Sequence, residues 1–272
     1  MKKKEIAIVY MCAGISSRFG GKIKQFAEVG PKGETLIEYS LNQALKAGFN
    51  KIVFIVGNKT EKPFKEKFGD EYNGIPIFYA LQTYNPEERD KPWGTADALV
   101  SAYQFLDCPF LICNGDDIYG ENTFRLMKEK LNENKEGIIP GYKLVNVLPK
   151  SGSVNRALLN IESGYLKSMK EIFDITKENL KERGLEEESL VSMNAFGLNK
   201  EVIDMIKQRV DEFKDQNKGD RKKECLLPNE IGELIKLDKI KISCHPTKDS
   251  WVGITNPEDE EIVRKELKNV NE

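Results

Sequence analysis

The residues with chemistry to offer gather in three short loops, each following an apolar run. Ile6 to Met11 leads into Cys12-Ala13-Gly14-Ile15-Ser16-Ser17-Arg18, then Gly20-Gly21 and Lys24. Small residues at a strand end expose backbone N–H groups with little side chain in the way, and Arg18 and Lys24 add charge, so the loop suits phosphate groups. It matches neither G-x-x-x-x-G-K-[ST] nor G-x-G-x-x-G, which speaks against a Walker loop and a dinucleotide fingerprint. The plain alternative is a strand-to-helix turn with two solvated cations. Pro109 to Cys113 runs into Asn114-Gly115-Asp116-Asp117. Adjacent carboxylates where a buried strand opens to solvent suit Mg²⁺, which takes oxygen ligands, keeps several waters and uses one or two carboxylates with substrate phosphates. Successive side chains diverge, so one acid is expected as direct ligand and its neighbour as an orienting group. The plain alternative is a pair of turn caps. Gln82 and Gly94-Thr95 flank the third loop. A carboxamide offers a donor and an acceptor together, as a pyrimidine imide edge requires, and Gly94 would let backbone approach a base closely. Gly94 read alone is simply the residue before a helix.

These loops must be held by regular elements, and the hydrophobic pattern supplies them. Ile6–Met11, Lys51–Val56, Ile75–Leu81 and Pro109–Cys113 are short apolar runs of the kind that form buried parallel strands. Thr35, then Leu36, Ile37, Leu41, Ala44 and Leu45 up to Gly48, mark an amphipathic helix with its cap and stop. Thr95 is expected to N-cap a helix carrying Leu99, Ala102, Tyr103 and Leu106. The alternation predicts an α/β fold: a Rossmann-like three-layer αβα arrangement with a predominantly parallel central sheet and ligands at the carboxyl ends of the strands. Farther on, strands are expected at 138–145, 156–161, 164–169, 190–198 and 240–244, with helices at 202–213, 228–235 and 257–267. The segment 172–188 is read as helical or loose. A single domain over 1–272 is expected, with the three loops in a first half (1–135) and a second half (136–272) beside it.

Composition narrows the class. With 39% hydrophobic and 32% charged residues, the chain can bury a core and stay soluble; a net charge of −2 gives no nucleic-acid footprint. Lys2-Lys3-Lys4 precedes a strand with no apolar leader segment, and no run approaches a membrane span, so a cytoplasmic protein with no membrane partner is expected. The five cysteines include no C-x-x-C pair, and the single histidine, His245, has no partners at zinc-ligand spacing.

Ala13-Gly14-x-x-x-Arg18 with Lys24, Gly94-Thr95-Ala96-Asp97-Ala98 and Gly115-Asp116-Asp117 together resemble the sugar-1-phosphate nucleotidylyltransferases, enzymes of the GT-A-like nucleotidyltransferase fold. The similarity continues through Val191-Ser192-Met193-Asn194 and Leu226-Leu227-Pro228 to Trp251-x-Gly253-x-Thr255. The resemblance implies that Ala13, Gly14, Ile15, Ser16, Ser17 and Gly115 surround a nucleoside triphosphate, with Arg18 on the phosphates and Lys24 at the reacting centre. It implies that Gln82, Gly94 and Thr95 read the base, and that Asp116 binds Mg²⁺. Gly141, Tyr142, Glu171 and Asn194 would face a sugar 1-phosphate, and a homo-oligomer is left open. UTP or dTTP is the favoured donor.

Three positions depart from the family pattern. Trp251-Val252-Gly253-Ile254-Thr255 lacks the acid often found there as second metal ligand, with Asp249 as a candidate substitute. Ile172, not lysine, follows Glu171, so Lys170 or another cation must serve. Gly20-Gly21-Lys22-Ile23 replaces a proline-bearing loop. Three further classes stay open from sequence: nucleotidyl transfer from CTP, ATP or GTP, including to a non-sugar phosphate such as phosphocholine; a GT-A-like glycosyltransferase, against which the adjacent rather than alternating acids speak; and a non-catalytic nucleotide sensor.

Overall fold

Strand β1 (Ala7–Cys12) shows what the apolar runs specify: Ile8 (with Ile6), Tyr10 and Cys12 enter one hydrophobic core while Ala7 and Val9 enter another. A strand buried on both faces needs no polar alternation, and its sequence has none. The computed structural model describes residues 4–14, 20, 22–133, 136–149, 152–254 and 259–270. After β1 come α1 (Leu36–Ala47), β2 (Lys51–Val56), α2 (Glu61–Phe68), β3 (Glu71–Tyr72), β4 (Ile75–Leu81), α3 (Thr95–Ser101), β5 (Phe110–Asn114), β6 (Asp117–Ile118) and α4 (Glu121–Glu133). The second half supplies β7 (Gly137–Lys143), β8 (Val154–Glu162), β9 (Tyr165–Ile175), β10 (Leu190–Ser192), β11 (Phe196–Leu198), α5 (Lys200–Gln216), α6 (Leu227–Lys236), β12 (Ile242–Thr247), β13 (Val252–Gly253) and α7 (Asp259–Val270).

One large sheet runs in the order β10-β8-β9-β12-β7-β11-β5-β1-β2-β4-β3. Its core is parallel, β4-β2-β1-β5, with Ile8 opposite Ile52 on one side and Leu111 on the other. Beyond β5 the short β11 enters antiparallel between β5 and β7, and the β8–β9 hairpin adds further antiparallel pairs. Helices α1, α2 and α4 cover one face through Leu41, Phe64 and Phe124; α3, α5 and α6 cover the other through Leu99, Ile206 and Ile231. This is a mixed α/β fold in three layers. The N-terminal end of α1 is closed by Glu38, which accepts a hydrogen bond from the Thr35 backbone N–H at 2.9 Å, and its C-terminal end by Gly48 at φ +97°.

Several expected elements shift. Leu190–Leu198 is two strands, because the chain turns at Asn194 with φ +55°. Ile172 to Ile175 continues β9 instead of opening a helix. Thr95 is the first residue of α3 and Gly94 is its cap; the Thr95 hydroxyl instead accepts the Leu227 N–H at 2.9 Å, joining α3 to α6. All five cysteines are buried thiols. No helix among the described residues is long and apolar enough to cross a membrane.

Gly94 is the most constrained backbone position in this frame. It sits at φ +103°, ψ −172°, a region essentially reserved for glycine, and a Cβ there would lie 2.5 Å from the Cys225 carbonyl oxygen. Gly94→Ala is expected to cost at least about 3 kcal/mol, adding backbone strain to a clash with rigid main chain. Chemical denaturation checks this; an unshifted midpoint would show that the loop reorganises freely.

Candidate active site

The carboxyl ends of β1 and β5 lie side by side and are pinned by a glycine. Gly115 donates its N–H to the Met11 carbonyl at 3.0 Å, and any Cβ on it would collide with Cys12 Sγ. The close turn carries the next side chain out of the sheet, where Asp116 Oδ2 accepts a hydrogen bond from Lys24 Nζ at 2.8 Å. The two residues are 92 positions apart in sequence and meet because their strands are neighbours. Ala13 and Gly14 begin the first loop at this rim, Gly14 with open space beside its α-carbon. Thr60 braces its entry by donating to the Cys12 carbonyl at 2.9 Å. Ile15, Ser16, Ser17 and Arg18 lie outside the described residues.

Asp117 points the other way, into the protein, and is 7% exposed. It accepts from Asn114 Nδ2 at 2.8 Å, and its backbone pairs with Gly253 across the β6–β13 bridge. Burial, followed by the charge of Asp116, pushes its carboxyl up to about 7, against the lowering effects of Asn114, Lys24 and the Trp251 indole. Tyr119, itself buried, fixes the turn: its hydroxyl accepts the Asn114 N–H and donates to the Met193 carbonyl, both at 3.0 Å. Adjacent hard oxygen donors, one destabilised by the charge of the other, fit a divalent cation held largely by water and substrate phosphates.

The surroundings carry a second mark of a ligand site. Among the described residues, Gln25 Oε1 and Arg156 Nε are buried polar atoms without a hydrogen-bond partner, as is Gln43 Oε1 elsewhere, while the buried Trp251 Nε1 lies close enough to Asp117 to favour its charged form. Gln25 flanks Gly115; Trp251 and Asp117 Oδ1 both crowd the α-carbon of Gly253; the Arg156 guanidinium stacks 4.6 Å from the Trp251 ring centre. Native interiors pair nearly all such atoms, so two orphans around one pair of acids point to groups that substrate completes.

On the base side, Gln82 is 6% exposed and gives its amide nitrogen to the Gly94 carbonyl at 3.0 Å and to Asp97 Oδ2 at 2.8 Å. Both partners are acceptors, which fixes the amide and leaves its oxygen as the atom to offer a base. Asp97 is held in turn by an ion pair with Lys214 of α5. The connection from 83 to 94 is clamped by Arg89, which donates to the Lys91, Asp220 and Lys223 carbonyls and stacks at 3.4 Å on Trp93.

The second-substrate side divides. Register places Ser192, Ala157 and Glu171 in one row across β10, β8 and β9; Glu171 is exposed on β9, and Asn194 is exposed in the turn that follows β10. Gly141 and Tyr142 are buried. Gly141 leaves room for Cys244 and Leu190, and Tyr142 donates to the Tyr119 carbonyl at 2.7 Å, beneath the acid turn. Their surroundings are those of supports. Asp249 accepts from Asn122 Nδ2 at 2.8 Å and the Thr123 N–H at 2.7 Å, at the N-terminal end of α4, where a carboxylate is favoured by the helix dipole. The acid facing the Trp251–Gly253 segment is therefore Asp117. Sequence reasoning missed Arg156, Trp251 as a polar group, and Tyr119. No sequence signal marked the first, since β8 also carries Asn155, Asn160 and Glu162.

The family model for nucleotidyl transferases matches residues 21–224 of the chain. A UTP–glucose-1-phosphate uridylyltransferase, AglF of Haloferax volcanii, is 29% identical over 117 residues, covering 41% of this chain and 45% of that protein. The bifunctional protein GlmU of Methanococcus maripaludis is 31% identical over 198 residues, 65% of this chain and 43% of that one. The matches thus span less than half the length of these relatives. In fold, a Bacillus anthracis candidate glucose-1-phosphate thymidylyltransferase in complex with sucrose superposes with TM-score 0.70 at 14% identity, covering 98% of this chain and 97% of the other.

The raised Asp117 carboxyl has a consequence for stability. Below about pH 4 the acid is protonated in both folded and unfolded chains and costs nothing; as pH rises toward 7 the unfolded chain gains by ionising, so its contribution turns destabilising and levels off above 7. Without divalent cations, Asp117→Asn is expected to melt higher than the unsubstituted protein at pH 8 and to lose that advantage by pH 4. Melting curves in EDTA across this range check it, and a pH-independent difference would contradict it.

Proposed function

The chain belongs to the nucleotidyl transferase family, and on that premise we propose that it condenses a nucleoside triphosphate with a sugar 1-phosphate to give an NDP-sugar and pyrophosphate. The observation that carries this reading is the Lys24–Asp116 ion pair at the joined ends of β1 and β5, ringed by orphaned buried polar atoms. A phosphate oxygen of the acceptor attacks the α-phosphorus in line; the new P–O bond forms as the bond to the β-phosphate breaks, and pyrophosphate leaves. Such a transfer asks the protein for positioning and charge neutralisation rather than covalent chemistry.

Each group then has a task. Lys24 lies where it can neutralise the α-phosphate, and Asp116 holds its ammonium in place. Asp116, with Asp117 behind it, would hold Mg²⁺, which when bound supplies charge neutralisation to the phosphates. The loop from Ala13 to Arg18 would wrap the triphosphate, as its composition leads one to expect. Gln82 offers an oxygen with fixed direction that would accept the N–H of a uracil or thymine imide; its amide hydrogens are spent on Gly94 and Asp97, so the donor half of the base pairing must come from another group. Glu171 and Asn194 would contact the sugar. Asn194 adopts φ +55°, a conformation asparagine tolerates better than most residues, and it projects from the turn between β10 and β11.

Pyrophosphate release tests the proposal, scanning five nucleoside triphosphates against sugar 1-phosphates, phosphocholine and related phosphates, with Mg²⁺ and with EDTA. The expected signal requires UTP or dTTP, a sugar 1-phosphate and Mg²⁺. Asp116→Ala is expected to lower turnover by about a thousandfold or more, on the scale of losing a principal electrostatic group. A signal only with phosphocholine would move the acceptor class, and near-normal turnover in Asp116→Ala would remove that residue from the reacting centre.

A further inference from the structure

Among the described residues, Arg156 is the cation of this cleft that no carboxylate neutralises directly. It sits on β8 opposite Ile172 of β9, one residue from the row that contains Glu171. Its two terminal nitrogens donate to the Asn155 carbonyl at 3.0 Å and the Val147 carbonyl at 2.9 Å, both neutral groups. No carboxylate lies within ion-pair distance of it among the described residues, although Asp117 and Glu171 are near enough to offset part of its burial. Burial lowers its pKa, but a guanidinium keeps its charge in a protein.

The fold contains its own control for a structural arginine. Arg89 also stacks on a tryptophan, and it places Nε, Nη1 and Nη2 each on a backbone carbonyl, so that every nitrogen is used. Arg156 stacks on Trp251 in the same manner, yet its Nε is buried with no partner, and each terminal nitrogen retains a second N–H. A buried guanidinium held by neutral acceptors and an aromatic face, with donors to spare, is a preorganised receptor for an oxyanion. A phosphate matches its planar fork of donors; the neighbouring Glu171 carboxylate suits hydroxyl groups instead. Lys24, the other described cation at the reacting centre, is already paired with Asp116.

We propose that Arg156 receives the phosphate of the acceptor substrate, doing from β8 what no residue at position 172 of β9 does in this chain. The assignment rests on the nucleotidyl-transfer reading above. It places the acceptor's phosphate on the free donor edge of the Arg156 guanidinium, beside Trp251, with the rest of the acceptor running out along the β8–β9 hairpin toward Glu171 and Asn194. An oxygen of that phosphate is then the nucleophile, and Arg156 orients it while offsetting its repulsion from the triphosphate.

The test is steady-state kinetics of Arg156→Met and Arg156→Lys with the nucleotide and acceptor that the unsubstituted enzyme uses, alongside melting curves. Arg156→Met is expected to raise KM for the acceptor by about 10–100-fold, the range for loss of a charge-assisted hydrogen bond, with KM for the nucleotide within about threefold. Arg156→Lys is expected to recover part of that loss, and it serves as the assay if the methionine variant does not fold. An unchanged acceptor KM in a folded variant, or equal rises in both KM values, would overturn the assignment and leave Arg156 a brace between Val147 and the hairpin. Absence of pyrophosphate release from the unsubstituted protein with every nucleotide and acceptor would instead sink the nucleotidyl-transfer reading, and this assignment with it.

Discussion

Two carboxylates on consecutive residues, at the end of a strand buried on both faces, are the constraint around which the rest is arranged. Asp116 reaches solvent and Lys24; Asp117 is turned inward and its ionisation is opposed by burial and by its neighbour. Apolar packing favours neither, since each charge near the sheet end must be met by a donor or a cation. The fold answers with Lys24, Asn114, Tyr119 and the β13 strand. Under the proposed reaction, what those groups leave unmet would be work for a substrate-borne cation, and the destabilisation of Asp117 would be a stability cost kept where electrostatics serves function.

The supports for that turn form a continuous polar spine through an otherwise apolar layer. Tyr119 links the acid turn to the Met193 carbonyl, and Tyr142 links β7 to the Tyr119 carbonyl. Thr123 and Thr247 share a hydrogen bond at 2.7 Å, and Asp249 closes the start of α4. Every partner is satisfied, which lets such a network define one arrangement instead of several. It also explains why β10 and β11 are separate strands: the backbone between them turns so that the Met193 carbonyl can meet Tyr119, and Asn194 is thereby held out at the rim.

The legible parts of this chain were those where one interaction decided the outcome. Lys51–Val56 and Ile75–Leu81 read correctly because a double-sided apolar strand leaves no other way to bury Ile52, Phe54 and Ile77. Thr35 and Gly48 read as helix ends because cap chemistry is local. Helix α4 was missed although Phe124, Met127 and Leu131 lie on one face, since its polar residues outweigh them in composition. Thr95 was read as a cap because local chemistry allowed it; contact with Leu227, 132 residues away, decided otherwise. Lys24 and Asp116 were legible as residue types, but their pairing required the parallel order of β1 and β5. Arg156 was illegible because its meaning lies in a missing partner, and a sequence records no such absence.

The two halves of the cleft are built on different principles. On the nucleotide side the donors are already spent: Gln82 is locked by Gly94 and Asp97, Asp97 by Lys214, and the connecting loop by Arg89 and by Arg221, which donates to the Glu87 and Pro86 carbonyls. A fixed acceptor atom discriminates by leaving a wrong base unpaired, and its selectivity depends on the rigidity of what holds it. On the other side donors are unspent: among the described residues Arg156 Nε has no partner, and the β8–β9 hairpin that carries Arg156 is exposed along much of its length. Under the proposed reaction, charge rather than a fixed hydrogen-bond pattern would do the selecting there, and Glu171 and Asn194 at the exposed rim would meet the group attached to the anion. Variation in acceptor should therefore be tolerated more readily than variation in base, because it alters contacts at an exposed rim and leaves the buried acid turn untouched.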